Sequence, residues 1–131
     1  MLTTTPYGMT REVSGSFTDV VARTREALKA EGFGVLTEID VKGTLKEKLN
    51  RDVAPYLILG ACNPKLAASA LELVPDIGLL LPCNVVVAER DGHVRVGAVN
   101  PQSLVALTEN AQLRDIANEA DERLRRALES L

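Results

Sequence analysis

The chain has 131 residues, of which 18 are Asp or Glu and 15 are Lys or Arg, giving a formal net charge of −3 with 46% apolar residues. That balance excludes a surface built for general phosphate contact. Four aromatic residues, Tyr7, Phe17, Phe33 and Tyr56, are too few for a base-stacking platform, so no nucleic-acid partner is expected. A chain of this length can bury one core, and two cysteines cannot make a disulfide scaffold, so a single soluble domain is expected.

Residues 1–6 read as a loose end, and 7–131 as one α+β domain without repeats or linkers. Gly8 to Val13 alternates in the manner of a strand, with Met9, Arg11 and Val13 on one face. Ser16, with Asp19 three residues on, predicts a helix start; Phe17, Val20, Val21, Thr24, Ala27 and Leu28 form its buried stripe, and Gly32 its end. Phe33 to Asp40 is a second strand, and Asp40 could cap a short helix through Leu45 and Leu49. Tyr56 to Ala61 is apolar on both faces, which predicts burial on both. Asn63-Pro64 opens a helix whose inner side is Leu66, Ala67, Ala70, Leu71 and Val74, stopped by Pro75-Asp76. Asp91-Gly92 between Asn84–Glu89 and Val94–Val99 predicts a tight hairpin. A loop or helical turn, Pro101 to Thr108, leads to a long helix from about Gln112 to Leu131, whose outer face offers the i,i+4 pairs Glu119 with Arg123, Asp121 with Arg125 and Glu122 with Arg126.

The expected architecture is therefore a five-stranded, antiparallel-rich sheet with two long helices on one face and short helical inserts. Tyr56, Ile58 and the valines near Val86 then need cover from the short helices, a second subunit or a ligand. Met1 to Pro6 lacks the basic start and apolar run of a signal peptide, and Ile77–Pro82 is too short to cross a bilayer, so a cytoplasmic location without membrane contact is expected. In that compartment Cys62 and Cys83 would be thiols.

Most catalytic templates are missing. There is no glycine-rich phosphate loop and no closely spaced cysteine pair of the zinc type, so neither a cofactor nor a metal site is expected from these motifs. The lone histidine, His93, follows the hairpin turn and reads as an exposed loop residue. What stands out is a near-duplicate, Cys62-Asn63-Pro64 and Leu81-Pro82-Cys83-Asn84, each where a strand meets a turn. If the two strands are antiparallel neighbours, both thiols lie at one end of the sheet. Cys62 also precedes a helix start, where unpaired N–H groups favour a thiolate. Set against this, free cysteine is often simply a small buried residue. Glu38 and Asp40, two apart on a strand, could act as a carboxylate pair; equally, Glu38 could be solvated and Asp40 a helix cap. Asn63 and Asn84 read as turn-holding residues.

The segments Gly32–Val41, Thr44-Leu45-Lys46, Gly60–Pro64 with Ala67, and Leu79–Val87 resemble the domain of unknown function 302 family, over nearly the whole chain. The resemblance is to a stand-alone bacterial or archaeal member. It implies a β-α-β(4)-α domain of the TATA-binding-protein-like class, seen as dimers, and its motifs correspond to Glu38, Asp40, Cys62, Asn63, Pro64, Pro82 and Cys83. It implies no activity. The reading that follows is a homodimer that binds a small molecule or protein partner near Tyr56, Cys62, Asn63, Pro82 and Cys83. The alternative is a thiol-based redox enzyme or soft-metal protein, with Cys62, Cys83 and Glu38 as the candidate reactive groups.

Overall fold

The computed structural model describes residues 1–131. Strand β1 (Thr3–Thr4) and strand β2 (Gly8–Val13) precede helix α1 (Phe17–Ala30), strand β3 (Gly34–Asp40), helix α2 (Val41–Leu49) and strand β4 (Tyr56–Cys62). Helix α3 (Pro64–Leu73) and a 3-10 segment, Pro75–Leu80, lead into strands β5 (Cys83–Arg90) and β6 (His93–Val99). Helix α4 (Gln102–Thr108), a short 3-10 turn and helix α5 (Arg114–Glu129) complete the chain.

The local signals act as physical chemistry requires. Ser16 accepts from the Asp19 N–H, Asp40 from the Gly43 N–H and Asn63 from the Leu66 N–H, so three helices start at side-chain caps that satisfy otherwise orphaned donors. Gly32 ends the first helical unit at φ +83°, a conformation glycine adopts without a Cβ penalty. Asp91 and Gly92 both have positive φ, the hairpin geometry that matches strand twist.

The sheet has six strands, in the order β1-β2-β6-β5-β4-β3, and every neighbouring pair is antiparallel. Two expectations need correction here. The sheet is not five-stranded, and the N-terminal end is not loose: Thr3 pairs with Thr10 and Thr4 with Met9. Asn100 Nδ2 donates to the Thr5 carbonyl at 3.0 Å and the Asn100 N–H to that of Tyr7 at 2.9 Å, so the segment is tied down by the side chain and backbone of Asn100 as well as by strand pairing. A two-residue edge strand of threonines carries no alternation from which it could be read.

One face of the sheet carries the core. Met9, Val13, Leu59, Ala61, Val85, Val87, Val94, Val96 and Ala98 pack against Val20 and Leu28 of α1 and Leu124, Ala127 and Leu128 of α5. Arg11, on that same face of β2, donates to the carbonyls of Leu128 and Glu129 at 2.9 and 3.1 Å. A guanidinium at the last turn of α5 satisfies free acceptors and meets the negative end of the helix dipole. On the outer face of α5, Asp121 pairs with Arg125 (3.3 Å) and Glu119 with Arg123 (3.9 Å). The expected Glu122–Arg126 pair gives way to Arg126 with Glu31 at 3.0 Å, because the turn after α1 comes close enough to compete.

The expected burial of β4 on both faces holds only in part. Leu59 and Ala61 are fully buried, but Tyr56 and Ile39 on the other face are exposed and Ile58 and Val86 half-buried. Gly60 is the exception on that face. A Cβ there would meet the Thr37 hydroxyl and approach Pro82 Cγ at 2.8 Å. Gly60→Ala should therefore destabilise the fold by about 1–3 kcal/mol, the usual cost of overpacking, measured by urea denaturation. A change under about 0.5 kcal/mol would show that Thr37 and Pro82 move aside freely.

Candidate functional site

The register between β4 and β5 pairs Ala61 with Cys83, so Cys62, leaving β4, and Cys83, entering β5, meet at the same end of the sheet. Asn63 and Pro64 then turn the chain directly into α3. The route back to β5 runs through the 3-10 segment and a cis Leu81-Pro82 peptide. On the far side of β4, β3 carries a register shift between Val35 and Thr37. A bulge of this kind re-aims side chains at a sheet edge, and Leu36 and Thr37 both border the resulting space.

That space is a cleft of about 340 Å³. The strand ends supply Phe33, Ala61, Cys62 and Cys83; α3 supplies Leu66, Ala67, Ala70 and Leu71; Leu104 of α4 and Ile116 and Ala120 of α5 close the far side. Its lining is almost wholly apolar, and its volume lies within the range of small-molecule sites. Of the residues expected at a site, Cys62, Asn63, Pro82 and Cys83 are brought together here. Tyr56 is not, because it occupies the opposite end of β4 and borders a separate depression with Tyr7 and Val86 on the uncovered sheet face. Glu38 is likewise outside, in an ion pair with Arg25 of α1. Asp40 caps α2, and Asn84 lies on the open face. His93 is exposed at the hairpin.

Sequence reasoning missed the contributions of α4 and α5. Leu66 and Ala67, which spacing suggested as core, are half-buried because their inner side faces the cleft. Ala67 and Ala70, one turn apart on α3, were the available signal, since small side chains on the inner side of a helix leave room beside it.

The two thiols, both free and half-buried, differ from a metal or nucleophile site in two respects. No third His, Cys, Asp or Glu joins them. Burial, and secondarily the nearby Cys62 sulfur, pushes the Cys83 thiol up from its ordinary 9.0 to about 11, so it stays protonated at neutral pH.

Comparison with known proteins agrees with this architecture. The model of the family described as "Domain of unknown function DUF302" matches residues 9–131. The chain belongs to this family. A solved structure, described as an uncharacterized conserved DUF302 protein from Bacillus stearothermophilus, is similar at 35% identity, with a TM-score of 0.87 over 93% of this chain and 95% of that one. No curated protein matches. Membership of the DUF302 family thus brings a shared fold and no assigned chemistry.

The Cys83 shift has a consequence for stability. Between pH 9 and 11 the unfolded chain has lost the Cys83 proton while the folded chain keeps it, so stability falls as pH rises through this window. The loss attributable to Cys83 should be on the order of 2 kcal/mol. Urea denaturation at about pH 8.5, below this window, and at about pH 10.5, within it, should show a steeper fall for the wild type than for Cys83→Ala. Equal slopes would mean that the thiol is not desolvated.

Proposed function

We propose that this DUF302 domain binds a small apolar molecule in the cleft between the ends of β3, β4 and β5 and helix α3. The observation that carries this is the cleft itself: about 340 Å³ of concave, apolar space at the points where the family-like Cys-Asn-Pro and Pro-Cys-Asn segments meet. A monomeric domain gains nothing in stability from leaving such surface unfilled, since each apolar wall there forfeits packing contacts. Cys62 and Cys83 act in this reading as small, soft lining groups. Thiol chemistry centred on Cys62, with Cys83 as its resolving partner or as second ligand to a soft metal, is less well supported, because a protonated Cys83 is a weak ligand and no third donor gathers beside the pair.

A neutral fluorescent probe, phenylnaphthylamine, should bind with enhanced emission. Ala67→Phe, which projects a ring into the cleft from α3, should weaken it at least about tenfold while leaving the circular dichroism unchanged. Equal affinity in the variant would remove the cleft as the binding site.

The same reading places a second copy of the chain on the uncovered sheet face. Support comes from the composition of that face, where Tyr7, Tyr56, Ile58, Val86 and Val99 lie beside two arginines, Arg90 and Arg95, and from the dimers implied by the family resemblance. Apolar residues such as these can meet their own copies across a two-fold axis, with Arg95 turned to the Thr10 hydroxyl at 2.9 Å. The β-α-β(4)-α order, with both long helices on one side of the sheet, is also what the TATA-binding-protein-like class would require. Sedimentation should give a dimer for the wild type and a folded monomer for Val86→Glu, whereas a monomeric wild type at roughly 100 μM, a concentration well above a typical Kd for a stable dimer, would overturn the assignment.

A further inference from the structure

The polar groups of the cleft are unevenly distributed, and this bears on what it takes. Thr37 and Asn63 are its only polar side chains besides the thiols, and no carboxylate lines it. Asn63 uses its Oδ1 to cap α3, accepting from the Leu66 N–H at 3.2 Å, which leaves its Nδ2 as the group it can offer a ligand. That amide lies beside Gly32, where a Cβ would come within 3.1 Å of it. The same Cβ would be 3.8 Å from Nη1 of Arg123, so amide and guanidinium flank one glycine. Gly32 directly precedes Phe33, a cleft residue, and Arg123 follows Ala120, another cleft residue, by one helical turn.

Arg123 is poorly satisfied for a guanidinium. Nη1 donates to the Glu31 carbonyl at 3.2 Å, and Nη2 has only Glu119 at 3.9 Å, the outer limit of an ion pair. Its Nε is the one buried side-chain polar atom in the chain without a hydrogen-bond partner. The Glu31 carboxylate, the other acid close by, is held by Arg126 at 3.0 Å. A buried donor with no acceptor costs desolvation free energy, so this guanidinium, which stands just outside the cleft lining, can still take an acceptor beyond Glu119, while Glu31 is engaged by Arg126.

Resting on the cleft as the binding site, we infer that its ligand is an elongated apolar molecule ending in a carboxylate, with the chain between α3 and the strand ends and the head group at Asn63 and Arg123. The apolar body gains from burial and the head group gains charge-assisted hydrogen bonds, which a guanidinium can give in parallel. A cationic head group would have to compete with Arg123 for Glu119 and with Arg126 for Glu31.

Displacement of phenylnaphthylamine by decanoate, decanol and decylammonium separates the two readings. Decanoate should compete at least about tenfold more strongly than decanol, with decylammonium weakest. Arg123→Gln should reduce decanoate to the level of decanol without changing decanol itself. Arg123→Lys, which keeps the charge and serves also if the Gln variant does not fold, should retain part of the preference. If decanol displaces the probe and decanoate does so no better, or if Arg123→Gln leaves the preference intact, the head-group assignment is overturned while the cleft survives. If the probe does not bind, both fall.

Discussion

The antiparallel register that sets Ala61 opposite Cys83 is the constraint on which the rest of the structure depends. It places the exit of β4 and the entry of β5 side by side, and both must then leave the sheet in directions that do not collide. Asn63-Pro64 resolves the first by starting a helix at once, with its side chain satisfying the Leu66 N–H. The return segment resolves the second through the 3-10 turn and Leu81-Pro82. Between the two diverging paths the sheet end cannot be filled by strand side chains, and the cleft is the space that remains. Pro82 also packs over Gly60, where any larger residue would collide, so the strand interior and the turn are fitted to one another.

The one-sidedness of the layer is the second constraint. Both long helices contribute to the same core, and α5 is fixed there at its C-terminal end by Arg11 from β2. Strand alternation then leaves the other face with whatever those positions hold, and here they hold Ile39, Tyr56, Ile58 and Val86 rather than a run of charges. An apolar face left partly open in a single chain is a property of the sequence as much as of the fold.

Much of this was legible from local chemistry. Caps at Ser16, Asp40 and Asn63, the hairpin at Asp91-Gly92 and the order of the main elements follow from interactions within a few residues, which is why sequence patterning captures them. The meeting of Cys62 and Cys83 followed only on the condition that β4 and β5 were neighbours, and they are. Grouping Tyr56 with them failed for a geometric reason. Six residues along a strand, at about 3.3 Å each, separate the two ends by roughly 20 Å. The β1 pairing, the Arg126–Glu31 bridge and the contribution of Leu104, Ile116 and Ala120 depend on contacts between distant segments and have no local signature.

Arg123 shows how the two levels interact. By spacing it belongs to a solvated ion-pair face with Glu119, and such i,i+4 pairs contribute only a few tenths of a kcal/mol. The fold turns that face toward the end of α1, where Gly32 has no side chain to hold the guanidinium away from Asn63. The absent Cβ is required first by the backbone, which needs φ +83° to leave the helix. A residue chosen to end α1 therefore also sets the room left for the Asn63 amide. Had the helix ended on a larger residue, its Cβ would have pressed on that amide at 3.1 Å while meeting the guanidinium at 3.8 Å in ordinary contact.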